Sequence, residues 1–256
     1  MRKFVTRQPL LFVALAGATL ILGQDLWQFI LPGTSEPIRI LLGKMTACLL
    51  AVALLSALGW WREAGFGARL HWRSLVPFLP LMIIPLLTAL FQPNAVGPPH
   101  PVQIVDFALV ALMTGFAEEA IFRGIGLTAL LPRGKIQAAL LSSLVFGVLH
   151  FANLLVGADP LATVVQVIVA VLFGITSAAL LISTDAILPL VLIHAVEDFI
   201  SFIATGNVRE ISTPTASEIL MTLFLFLPFA VYGMWLLRRK SPDLGNTPTA
   251  GKRGSA

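Results

Sequence analysis

The stretch FAEEAIFRG, Phe116 to Gly124, places two adjacent carboxylates and an arginine inside an apolar run that extends from about Val102 to Leu131. That length suits a helix crossing a bilayer with some tilt. An ionised side chain at the centre of a span costs about 2.5–3.5 kcal/mol even on insertion scales, so a purely structural helix has no use for Glu118, Glu119 and Arg123. Residues four apart share a helix face, which spaces Glu119 and Arg123 to pair as a register-fixing ion pair. Glu118 points about 100° away on the same helix and has no local partner. A carboxylate left in an apolar site is suited to proton transfer as a general base or acid.

The rest of the composition agrees with a membrane setting. Of 256 residues, 57% are hydrophobic and 12% charged, against roughly 25% charged in an ordinary soluble domain. The mean hydropathy is +0.90. The expected fold class is therefore all-α, a polytopic membrane protein of about eight transmembrane helices with an intramembrane polar site. One cysteine, Cys48, excludes an intramolecular disulfide and a multi-cysteine metal centre. The net charge of +4 resides in clusters beside apolar segments and does not imply nucleic-acid binding.

Eight apolar segments follow one another: Pro9 to Leu31, Ile38 to Trp60, Leu75 to Phe91, Val102 to Leu131, Ile136 to Val156, Leu161 to Ile182, Ala186 to Ala204, and Glu218 to Leu237. The first is longer than a signal-peptide core and reads as a span. Lys44 in the second is placed to snorkel toward the near interface. Three prolines, Pro77, Pro80 and Pro85, predict a kink or break in the third. The segment from Trp60 to Ser74 mixes tryptophans with arginines as an interfacial segment does, and His71 belongs to it. The tail from Ser241 to Ala256 has the composition of a disordered segment.

Charge tests this division, because cytoplasmic loops hold the excess of lysine and arginine. With the amino terminus inside, the basic residues of Met1 to Arg7, Trp60 to Ser74, Arg133 to Lys135 and Arg238 to Arg253 fall on one face. Arg39 and Arg209 alone fall on the other. The asymmetry predicts both termini in the cytoplasm, and the compact chain suggests a prokaryotic cell membrane.

Three spans carry polar residues that packing does not need: Glu118, then His150, then His194 with Asp198. At 1.5 Å per residue they lie about 20, 21 and 12 Å from the cytoplasmic ends of their helices, depths compatible with one cavity. His194 and Asp198 share a face, Glu197 is close to it, and Phe146 sits one turn before His150. Such a set can activate water through Glu118 and His150 while His194 donates to a developing oxyanion. Two histidines with carboxylates also make a zinc set with an open water position. Spacing leaves both arrangements open.

These residues carry a resemblance. Glu118-Glu119-Ala-Ile-Phe-Arg123 matches EExxxR, Phe146-Gly-Val-Leu-His150 matches FxxxH, and His194-Ala-Val-Glu-Asp198 matches HxxxN/D. In that order they resemble the CPBP family, the CAAX prenyl proteases of type 2 with the bacteriocin-processing and immunity (Abi-like) proteins, over about Val102 to Phe202. The resemblance implies an intramembrane endopeptidase in which Glu118 and His150 activate water and His194, with the residue four later, stabilises the oxyanion. Glu119, Arg123 and Phe146 are then supporting. Asp198 departs from the asparagine of the prenyl proteases, and an ionised aspartate cannot donate to an oxyanion. The family has been described both as metal-dependent and as glutamate-dependent, so the cofactor is open between zinc, held by Glu118, His150, His194 and Asp198, and none.

The division that follows is 1–101 as N-terminal membrane helices, 102–204 as the catalytic core, 205–240 as a C-terminal membrane helix and 241–256 as a disordered cytoplasmic tail. The implied partners are a peptide or membrane-protein substrate and the lipid bilayer, with no nucleic acid. The competing classes are a non-catalytic membrane scaffold or bacteriocin-immunity factor that keeps the motifs, and a transporter or proton relay. The last is disfavoured by the absence of a visible inverted repeat.

Overall fold

The computed structural model describes residues 1–91, 100–208 and 213–239. In chain order the helices are α1 (Arg2–Arg7), α2 (Pro9–Asp25), α3 (Trp27–Ile30), α4 (Glu36–Leu58), α5 (Trp72–Leu75) and α6 (Ile83–Phe91). They continue as α7 (Pro101–Glu118), α8 (Thr128–Leu130), α9 (Lys135–Leu149), α10 (Pro160–Thr184), α11 (Leu188–Thr205) and α12 (Ala216–Arg238). No strand occurs among the described residues.

Local sequence explains where the long helices begin. Proline stands in the first turn of α2, α4, α7, α10 and α11, where its fixed φ suits a helix and its missing N–H is not needed. Thr215 and Glu218 instead form a reciprocal capping box at the head of α12. Asp185 turns the chain between α10 and α11 with φ 54°, which makes the short connection after Ser183 possible.

Six of these segments are long and apolar enough to cross a membrane, and a seventh joins Trp72–Phe78 to Ile83–Leu90 across a 49° bend. The break lies between Phe78 and Ile83 and contains Pro80, in keeping with the prolines of this segment. The remaining expected span corresponds to the helical run 101–133, which stands outside that set and carries Asp106, Glu118, Glu119 and Arg123. Large apolar side chains such as Leu49, Leu220 and Phe224 point outward and are exposed. In a bilayer these contact lipid tails, and the chain is an integral membrane protein with multiple spans.

Helix α10 packs between α9 and α12, α11 lies against α7 and α6, and α4 lies against α2 and α7. Glu119 and Arg123 are buried completely within this bundle. The expected tail and most of the Gln92 to Pro101 loop lie outside the described residues, as does Arg209.

Candidate active site

The FAEEAIFRG stretch is not a continuous α-helix. Helix α7 ends at Glu118 and passes into a π-helical stretch, Glu119–Leu127, whose hydrogen bonds close over one more residue than in α-helix. The regular spacing assumed from the sequence is therefore interrupted between the two glutamates. Their divergence survives: Glu119 turns into the protein with no exposure, while Glu118 faces a cavity.

Arg123 Nη1 lies 3.4 Å from Glu119 Oε1, which bears out the expected pair. Its guanidinium carbon also sits 4.0 Å above the Phe146 ring and 5.8 Å from that of Phe173. The aromatic faces offset part of the cost of burying this cation. Glu119 has a second partner that spacing did not reveal. His194 Nδ1–H donates to Glu119 Oε1 over 2.9 Å, linking α11 to the π-helical stretch.

That bond turns His194 Nε2 toward the other carboxylates. It lies 3.7 Å from Glu118 Oε2 and 3.8 Å from Asp198 Oδ2. Glu118 is thus not isolated as its helix alone implied. Gly115 permits this approach, since a Cβ there would stand 2.7 Å from the Val191 carbonyl oxygen and 3.1 Å from the Ala195 nitrogen.

His150 begins the 3₁₀ turn His150–Val156 that follows α9. Its Nδ1–H donates to the Phe146 carbonyl over 2.8 Å, because a carbonyl can only accept. Nε2 is left as the acceptor nitrogen. The Phe146 ring meets His150 edge-on at 4.7 Å between centroids and lies 6.4 Å from His194. It therefore touches Arg123 and both histidines, a more central position than one turn before His150 suggested.

A cavity of about 160 Å³ unites the four candidates: Glu118, His150, His194 and Asp198 all line it. No hydrogen bond joins Glu118 to His150 among the described residues. The zinc arrangement does not fit the geometry: among the described residues no group of three or more His, Cys, Asp or Glu side chains is arranged to hold a metal ion. Glu197 does not join the set either. Its Oε1 accepts from Thr88 Oγ1 of α6 over 2.8 Å.

At the rim, Asp159 caps α10 by accepting from Ala162 N–H, and also accepts from Thr213 Oγ1 over 2.6 Å. These hydrogen bonds, led by that from Thr213, hold its carboxyl below the usual aspartate range. Ala158 and Ala162, on either side of it, line the cavity.

Residues 100–200 match the family model described as Type II CAAX prenyl endopeptidase Rce1-like. This stretch is an Rce1-like domain. No curated protein and no solved structure matches the chain significantly. The domain contains every motif residue from Glu118 to Asp198, in agreement with the resemblance those motifs carry. It implies an intramembrane endopeptidase, and a protease of this family acts on peptides.

The Rce1-like domain does not enclose the cavity alone. Gln24, Asp25, Gln28 and Lys44, from the first two long helices and the short helix between them, also line it. Sequence reading credited those helices only with hydropathy and sent Lys44 to the interface. In the structure Lys44 Nζ donates to Gln24 Oε1 over 3.0 Å and lines the cavity. Phe173, whose ring lies 5.3 Å from that of His194, had no signal beyond being one of 17 phenylalanines.

Proposed function

We propose that the protein is an intramembrane endopeptidase that hydrolyses membrane-associated or lipidated peptides with water activated by Glu118 and His150. The observation that carries this reading is that Glu118, His150, His194 and Asp198, all in the Rce1-like stretch, line one cavity.

In this mechanism a water molecule in the cavity gives a proton to the Glu118 carboxylate, with His150 Nε2 as a second acceptor that orients it. The water oxygen attacks the scissile carbonyl carbon and its π electrons move to oxygen. The oxyanion accepts a hydrogen bond from His194 Nε2–H when the ring carries both protons, Nδ1–H being committed to Glu119. Collapse of the tetrahedral species breaks the C–N bond, and the proton on Glu118 passes to the leaving amine. Asp198 Oδ2, 3.8 Å from His194 Nε2, stabilises the doubly protonated ring by its charge, a role that does not need asparagine's donor. Glu119, Arg123 and Phe146 hold His194 and His150 in place.

The reading includes 102–204 as the catalytic core, with helices α2 to α4 before it contributing to the cavity wall, α12 after it packed against α10, and both termini on the cytoplasmic side. Basic-residue asymmetry supports that orientation. The test is the product profile of a mixed peptide library incubated with purified wild type and with His150→Ala in lipid nanodiscs, with and without chelator. Cleavage by wild type, lost in the folded variant and indifferent to chelator, supports the reading. Identical profiles from the two proteins would favour a scaffold that keeps the motifs, and loss on chelation with recovery on zinc would move the histidines to metal ligands.

A further inference from the structure

The cavity presents three carboxylates, Asp25, Glu118 and Asp198, yet it also receives one lysine. Lys44 lies about 12 Å along α4 from its first residue, well inside a segment fit to cross the membrane. A lysine at that depth ordinarily extends to the headgroups. Here the backbones set another course: Gly43 lies so close to α2 that a Cβ there would overlap the Gln24 carbonyl oxygen. The close approach brings the Lys44 ammonium to the Gln24 amide oxygen, over 3.0 Å, and into the cavity wall. An ammonium has three donors, and Gln24 takes one.

We infer that Lys44 is a specificity residue that binds a carboxylate of the substrate in the same cavity as Glu118. The inference rests on the proposed peptidase reading and names the substrate class: peptides carrying an anionic oxygen acid on one side of the scissile bond, either a free C-terminal carboxylate or an aspartate or glutamate side chain. Among the charged side chains that line the cavity, Asp25, Glu118 and Asp198 repel such a group and Lys44 attracts it, so Lys44 sets where that group lies. A hydrogen bond between two charged partners raises affinity by roughly tenfold and upward.

The experiment uses three short-peptide libraries with the full chain in nanodiscs: free-acid peptides without Asp or Glu, the same peptides amidated, and amidated peptides carrying one Asp or Glu. Cleavage is read by mass spectrometry with wild type, and binding by retention on immobilised Glu118→Gln protein. The expected result is a preference of about tenfold or more for the first or the third library over the second. Preference for the first identifies a terminal carboxylate, and for the third a side chain. In Lys44→Gln the ratio falls to near one, and Lys44→Arg restores it.

Equal treatment of all three libraries by the unsubstituted protein overturns the inference without any variant having to fold, and so does an unchanged ratio in Lys44→Gln. Charge-selective retention that depends on Lys44, with no cleavage by wild type, sinks the peptidase reading but leaves the subsite standing. Cleavage without charge selectivity does the reverse.

Discussion

His194 Nδ1 lies 2.9 Å from Glu119 Oε1, joining residues 75 positions apart in the chain. The same oxygen is the one nearest Arg123 Nη1. Glu119 therefore ties the histidine of α11 to the buried arginine of its own helix. Removing it leaves Arg123 as an uncompensated cation in the core, a change that costs about 3–5 kcal/mol. Glu119→Ala is expected to lower unfolding stability in detergent by that amount, whereas Glu119→Leu combined with Arg123→Met costs less than either truncation alone. A double-mutant cycle by denaturant unfolding measures the difference.

The contact between α7 and α11 at Gly115 sets how near Glu118 comes to His194. Gly115→Ala forces the two backbones apart, since the added carbon meets the Val191 carbonyl at 2.7 Å. Overpacking of this kind costs about 1–3 kcal/mol. The protein is expected to remain folded with a lower melting temperature, while turnover falls by about tenfold or more because small displacements of reacting groups are costly. Parallel unfolding and single-turnover measurements separate the two effects.

Phe146 touches Arg123 and both histidines, so its loss acts on stability and chemistry together. Phe146→Ala is expected to cost about 3–5 kcal/mol, as for other buried aromatics. Phe146→Leu retains much of the volume but neither the cation–π face nor the edge contact to His150. Its stability loss is expected to be smaller while its activity remains depressed, which the ratio of kcat to unfolding free energy in the two variants will show.

Asp159 offers a pH-dependent test outside the spans. Its carboxyl is held below the usual range chiefly by the Thr213 hydroxyl. A depressed folded-state pKa gives stability that is fully present above the ordinary aspartate range and is lost as pH falls through the lower folded value. Asp159→Ala is expected to lower the melting temperature at neutral pH, and the gap from wild type should close on acidification below about pH 4. Thermal unfolding across that range checks the sign.

Much of this site was legible because charge in an apolar run is conspicuous. Glu118, His150, His194 and Asp198 stood out for that reason, and the structure brings them to one cavity. The π-helical stretch after Glu118 was not legible, since Gly124 and Gly126 weaken an α-helix without signalling a wider turn. Nor was the second partner of Glu119, because i to i+4 spacing explains Arg123 and says nothing about a helix arriving from far along the chain. Lys44 was visible, but its partner Gln24 was not, because it lies on a different helix, brought close where Gly43 meets the Gln24 main chain. Phe173 carried no distinguishing pattern at all.

The most direct test of the proposed chemistry is the rate of hydrolysis by Glu118→Gln on a peptide that wild type cleaves, with folding verified by an unchanged unfolding transition. The amide preserves shape and removes the base, so the rate is expected to fall by about 10²–10⁴-fold. A Glu118→Gln protein that hydrolyses the peptide at the wild-type rate would contradict activation of water by Glu118.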